Sequence, residues 1–380
     1  MGTSSFHPGL TLVVLFLVLL AGEHSALAWG PATHLDFGLQ VLKELLLLAP
    51  PVAALIRRFP LDFLYGTLAP DITVGKNLSP YALHCHNWRV ARSVLELAER
   101  DHLRAFAWGY LSHLAADIVA HNYFVPFKMV QHFHRRRAAH AYWEIRFDTW
   151  VGEETWQVAR TLSTRAFREH DSHLRNIIVG PLFSFPVNKQ IFNSLMLANR
   201  LLRRRQAVRA VQRNASLVLD AGEVEECRRL SLERMRALLR DGLDAEILQV
   251  DPTGHRNLLI ARQLHRDLYQ WQRQEQLIDR RLVERIYRPL FRASLDARLE
   301  LPAATELLQA LEQGPEILAG AGRGQAARRP GPRSWMLLMA RAKRRWRKPS
   351  ASRRQKAWRQ LMPRGLFEKV SRRRRRKRKR

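Results

Sequence analysis

Between Trp108 and Tyr123 the chain reads WGYLSHLAADIVAHNY, and His113, Asp117 and His121 recur there at four-residue intervals within an apolar stretch. On a helix that spacing stacks the three side chains on one face, so that three donor groups point into one volume. Apolar residues elsewhere keep the same helical step, as in Leu35, Leu39, Leu42 and Leu46, in Val90, Val94 and Leu97, and in Phe106, Tyr110 and Leu114. No stretch alternates with a convincing period of two. The segments 88–100, 102–125, 138–163, 189–213, 224–248, 253–277 and 278–299 are therefore predicted as helices. Pro- or Gly-bearing joints separate them at Gly180-Pro181, Phe185-Pro186 and Asp251-Pro252-Thr253-Gly254. The expected fold class is all-α.

Two imidazoles with a carboxylate between them suit zinc, and a carboxylate has two oxygens with which to bridge neighbouring ions. A second pair, His140 and Glu144, repeats the four-residue interval. Upstream, Asp71 follows Ala69-Pro70, the run Leu83-His84-Cys85-His86-Asn87-Trp88 adds His84 and His86, and His34 lies five residues after Trp29. Burying so many polar groups without a metal or partners is costly. Only two cysteines, Cys85 and Cys227, accompany 15 histidines. A disulfide framework and a cysteine-based zinc module are thereby excluded, and metal chemistry in this chain is nitrogen and oxygen chemistry. Spacing does not decide whether Cys85 and Cys227 pair. His132 and His134, between the two histidine pairs, are competing ligands or surface residues.

Leu10 to Ala21 form an apolar run of 12 residues, shorter than the roughly 20 that cross a bilayer as a helix. Ala26-Leu27-Ala28 follows, with small residues at the positions that signal peptidase reads. Residues 1–28 are accordingly expected to be a signal peptide, although no Lys or Arg precedes the run. Cleavage after Ala28 makes Trp29 the first residue of the mature protein. Its free amine, with an unperturbed pKa of roughly 7.7–8.0, has a lone pair near neutral pH and can ligate a metal.

The order Trp-Gly, His, Asp, His, His-x-x-x-Asp, His, His-x-x-x-Glu over roughly Trp29 to Trp150 resembles the zinc-dependent phospholipase C family. More distantly it resembles the fungal single-strand nucleases that share that fold. In the family the mature protein begins at the Trp, whose amine and carbonyl bind zinc. The resemblance implies an all-helical domain with up to three zinc ions. Asp71, His86, His113 and Asp117 would hold one, and His121, His140 and Glu144 a second. The Trp29 terminus, His34 and the other oxygen of Asp117 would hold the third. It also implies phosphodiester hydrolysis, with Asp71 orienting or deprotonating a water. Asp117 and His121 are closer in sequence than in the best-known bacterial phospholipases, so the second ion is set differently or bound more weakly. His86 is favoured over His84 because a helical stripe begins at Asn87.

Net charge is +30, from 64 Lys+Arg against 34 Asp+Glu. Residues 321–380 hold 25 of those cations and one acid, Glu368, a net of +24. The first 320 residues keep 39 cations and 33 acids, a net of +6, which favours a lipid or small phosphodiester over a long nucleic acid as substrate. From Ser334 to Trp346 the tail alternates apolar and basic residues, and nine cations follow Ser371. An anionic membrane surface is the simplest partner for it. The expected organisation is a signal peptide over 1–28, a phospholipase C-like domain over 29–160, a helical extension without a chemical motif over 161–320, and a disordered basic tail over 321–380. Localisation is expected to be secreted or periplasmic, with membrane association. Two other readings fit the residues. One is a nuclease with the tail as nucleic-acid tether, and the other is a non-catalytic helical module stapled by zinc that binds a membrane or polyanion. Asn214-Ala215-Ser216 fits a glycosylation acceptor.

Overall fold

A computed structural model describes residues 29–73, 85–135, 140–178, 184–204, 219–274 and 278–313, and among these residues it contains helices and no strand. The fold is all-α. The leader, His84, the Asn214 triplet and the basic tail lie outside the described residues, as do the side chains of His140 and Glu144.

Three prolines open the first three helices, α1 (Pro31–Lys43), α2 (Pro50–Arg58) and α3 (Pro60–Gly66). At a helix's first turn the missing N–H has no intrahelical partner to lose, and the fixed φ is already helical. Next come α4 (Trp88–Glu96) and the long α5 (Asp101–Val119). From Ala105 onward α5 is buried on almost every side, and α3, α4 and the later α11 (Ala221–Asp241) pack around it. Its composition explains this position, because small and apolar residues leave no solvated face. Where α3 crosses α5, Gly66 faces Gly109. A Cβ on Gly66 would fall on the Phe106 carbonyl and one on Gly109 on the Phe63 carbonyl. Glycine at both positions is what lets the two backbones approach so closely.

The segment predicted as one helix over 102–125 changes register near its end. After α5 a π turn spans Ala120–Phe124, with Val125 N–H donating to the Ala120 carbonyl, and α6 (Val125–Gln131) continues from it. The segment 138–163 is two helices, α7 (His140–Asp148) and α8 (Glu153–Thr164). Thr149 Oγ1 closes α7 on the Arg146 carbonyl, and Gly152 caps α8. The break frees Asp148 for a distant role: its Oδ1 accepts from Thr33 N–H at 2.9 Å and Thr33 Oγ1 at 2.7 Å. Asp148 thus supplies from 115 residues away the cap that the start of α1 lacks in its own sequence.

Beyond these lie α9 (Arg168–Ile177), α10 (Phe185–Arg204), α11, α12 (His255–Arg273), α13 (Arg280–Ala293) and α14 (Ala304–Gln313). α11 packs on α1 and α5, while α12 and α13 pack on α6 and the π turn. Every described residue belongs to one compact unit that ends at Leu318. Its hydrophobic core includes Trp29, fully buried between Phe147 at 4.3 Å and Phe124 at 5.1 Å. Trp29 Nε1 donates to the Ala116 carbonyl at 3.0 Å, which fixes the indole beside Asp117. No helix among the described residues is long and apolar enough to cross a membrane.

Candidate metal centre

Five of the sequence-predicted residues converge on α5. His113 and Asp117 lie one turn apart on it, and the short 3-10 turn Ala69–Ile72 brings Asp71 opposite them. His86 arrives from the residues just before α4, whose start is capped by Asn87 accepting from Arg89 N–H. His34 comes from the first turn of α1, the turn clasped by Asp148. All five are buried, with exposures of 5% or less.

The second nitrogen of each of two histidines is spoken for. His113 Nδ1 lies 2.8 Å from the Thr67 carbonyl, which can only accept, so the ring donates there and turns Nε2 inward. His86 Nδ1 lies 3.3 Å from Cys85 Sγ. Both Nε2 atoms then face the carboxylates and are 3.1 Å from each other. His86 Nε2 is 3.3 Å from both Asp71 Oδ1 and Asp117 Oδ2, while His113 Nε2 is 3.3 Å from Asp117 Oδ2 and 3.9 Å from Asp71 Oδ1. Tetrahedral zinc with bonds of about 2.0–2.1 Å separates its ligand atoms by about 3.3 Å. Four of the five measured separations are within a few tenths of an ångström of that value.

The other oxygen of Asp117 points elsewhere. Asp117 Oδ1 is 3.0 Å from His34 Nε2, and the His34 ring stacks on that of His113 with centroids 3.6 Å apart. Two triads are close enough to hold an ion, His34 with Asp71 and His113, and His86 with His113 and Asp117. The donor set also passes a test of satisfaction. His34 Nε2 and both oxygens of Asp117 are buried without a hydrogen bond of acceptable geometry. Groups of that kind are costly in a protein interior unless a cation sits among them. Two carboxylates and three imidazoles with converging lone pairs fit a divalent ion of zinc's preferences.

Electrostatics within the cluster are strongly coupled. Burial by itself pushes the Asp117 carboxyl up, but the His113 and His34 rings against it outweigh burial and hold it well below the usual carboxylate range. Burial would also lower His113, yet Asp117 and Asp71 raise it above an ordinary imidazole. His34 is lowered, first by burial and then by the charge on His113. His113 is thus the ring that retains a proton in the absence of metal, and a cation entering the site competes with that proton.

The remaining predicted residues are placed less completely. His121 is buried on the π turn, where its Nδ1 donates to the Pro252 carbonyl at 2.7 Å. Among the described residues it joins neither triad. His140 and Glu144 lie one turn apart on α7, with side chains outside the described residues. The ring of Trp29 packs beside the cluster through Ala116, as described above. His132 and His134 are not in the candidate metal groups. Cys85 and Cys227 are both buried. The sequence reading passed over the Thr67 carbonyl, Cys85 as a neighbour of His86, Asp148 and Pro252. A backbone carbonyl carries no mark in sequence, and Asp148 acts across 115 residues.

Residues 33–178 match the profile of the family described as zinc dependent phospholipase C. Comparison with curated proteins finds no match, and neither does comparison with solved structures. Over residues 33–178, which hold every predicted ligand except Trp29, the chain is similar to zinc-dependent phospholipases C, all-helical and with a donor set suited to zinc.

Proposed function

We propose that the protein is an exported, zinc-dependent phosphodiester hydrolase of phospholipase C type. The observation that carries this reading is the division of labour at Asp117, whose Oδ2 faces His86 and His113 while Oδ1 faces His34. One buried carboxylate is thereby set to serve two neighbouring ions. In the proposed assignment Asp71, His86, His113 and Asp117 would hold the first ion, and His121, His140 and Glu144 the second. The Trp29 amine, His34 and the other oxygen of Asp117 would hold the third.

Bound zinc supplies an acidified water and neutralises phosphate charge as the phosphodiester bond breaks. The chain's own residues do the rest. The Thr67 carbonyl keeps His113 in the tautomer that ligates through Nε2. Asp71 orients the water and takes its proton at Oδ2, while its Oδ1 is the oxygen that lies 3.3 Å from His86 Nε2. All five donors are themselves buried, and the exclusion of water strengthens each of these interactions. A phospholipid is the proposed substrate. The leader directs export, and the basic tail holds the enzyme near anionic bilayers.

Zinc content and intact mass of the exported protein, with hydrolysis of a soluble short-chain phospholipid, test the reading. The wild type is expected to begin at Trp29, to carry two or three zinc ions and to hydrolyse the lipid. Asp117→Asn should lose most of the metal and all measurable hydrolysis. Full activity in that variant sinks the assignment, and zinc without hydrolysis of any phosphodiester leaves the stapled, non-catalytic module.

A further inference from the structure

His121 sits at the one place where the central helix changes register, and the groups that hold it come from the far end of the chain. Its Nδ1 donates to the Pro252 carbonyl at 2.7 Å, in the turn that precedes α12. A carbonyl can only accept, so the ring carries its proton on Nδ1 and presents Nε2 with a lone pair. The same turn grips the next residue, because Asn122 Nδ2 donates to the Asp251 carbonyl at 2.8 Å and to the Ile118 carbonyl at 3.1 Å. From α12, Asn257 Nδ2 donates to the Asn122 carbonyl and to Asn122 Oδ1, both at 3.1 Å. Ser294, at the end of α13, places its hydroxyl 3.1 Å from the Asn122 carbonyl and 2.8 Å from Asn257 Nδ2. Asn122, Asn257 and Ser294 are all buried, so this is a polar network inside the core. Such a network is retained at a cost unless it fixes something.

The turn itself is shaped for this contact. Gly254 has φ +54° and lies so close that a Cβ would fall on the His121 carbonyl. No other residue type fits both the left-handed backbone and the close approach. Asp251 closes the turn from within, accepting from Thr253 N–H at 3.0 Å and from its hydroxyl at 2.7 Å. Pro252, Gly254, Asn257 and Ser294 all lie beyond residue 178, where the family match ends.

We propose that the turn Asp251–Gly254, with Asn257 and Ser294, is an outer clamp of the metal centre: it fixes the tautomer and aim of His121 and holds the π turn that carries it. The clamp residues are positioning residues, and the proposal rests on the reading above that His121 is a zinc ligand. It also gives the C-terminal helices a function, because without them the second ion would have one ligand that can swing away. Loss of an outer-shell partner of this kind weakens metal binding about 10–100-fold.

The test is a zinc titration of the full chain with a competing chelator, together with the cobalt(II) absorption spectrum, on wild type, Gly254→Ala, Asn257→Ala, His121→Ala and the double variant Asn257→Ala/His121→Ala. Asn257→Ala keeps the clamp testable if Gly254→Ala does not fold. In the expected result each clamp variant binds one ion about 10–100-fold more weakly while the other ions keep their affinity. The cobalt spectrum changes as it does in His121→Ala, and the double variant is no worse than His121→Ala. Unchanged zinc affinity and spectrum in a folded clamp variant overturns the proposal, as does a loss that adds to that of His121→Ala, since independent structural damage adds. A wild type that binds no zinc refutes the functional reading itself, and this one with it.

Discussion

His113 and Asp117 are legible from sequence because a four-residue interval on a helix is a local geometry, and local geometry survives whatever tertiary contacts follow. What tunes them is not local. The Thr67 carbonyl, the Cys85 thiol and the Pro252 carbonyl each orient a histidine, yet none is marked by residue type. His132 shows how a residue of the right type takes another role. Its ring packs 4.8 Å from Trp143, and its Nδ1 donates to the Lys128 carbonyl. Burial and the neighbouring Lys128 ammonium push its pKa down to about 3. The unfolded chain takes up this proton near pH 6.5, the folded chain only near 3, so stability falls as pH drops through that window. His132→Gln should reduce the loss of stability between pH 7.5 and 5 by about 2 kcal/mol, measured by denaturant unfolding with chelator present. An equal loss in variant and wild type would show that the ring titrates normally.

Among the elements, the crossing of α3 and α5 governs the site. Gly66 and Gly109 allow a backbone approach that carries the Thr67 carbonyl and the Asp71 turn against His113. Gly109→Ala sets a methyl on the Phe63 carbonyl, an overpacking expected to cost about 1–3 kcal/mol. Because the displaced helix leads directly into Thr67, zinc affinity should fall at least about tenfold in the same variant. Retained affinity in a destabilised Gly109→Ala would mean that the crossing serves packing alone. The existence of these helices follows from the apolar period, but two of their boundaries do not. The break at Thr149–Gly152 and the π turn at Ala120–Phe124 each answer to a distant partner, Thr33 in one case and the Asp251–Gly254 turn in the other. A period of 3.6 cannot reveal a partner more than 100 residues away.

At the scale of the whole molecule, residues 219–313 offered no chemical motif, and the structure packs them on the helices that bear the ligands. Their mixed charge marks only their solvated faces. The basic tail is a separate matter, since the compact unit ends at Leu318 and +24 of the net charge of +30 lies beyond it. Removing residues 321–380 should leave zinc content and melting unchanged while abolishing binding to anionic vesicles at low salt. Vesicle sedimentation checks this, and undiminished binding of the shortened chain would move the membrane contact onto the helical unit.

The Asp148 clasp on the start of α1 also sets an order in time. A ribosome delivers Trp29 well before it delivers Asp148, and at about 10 residues per second the interval is roughly 10 s. Throughout that interval the beginning of α1 has no cap, and Trp29 has no Phe147 to stack on. In the proposed export reading, the peptide bond ahead of Trp29 would meet a processing enzyme on a nascent chain whose Phe147 and Asp148, the residues that seat Trp29 and α1, are not yet synthesised.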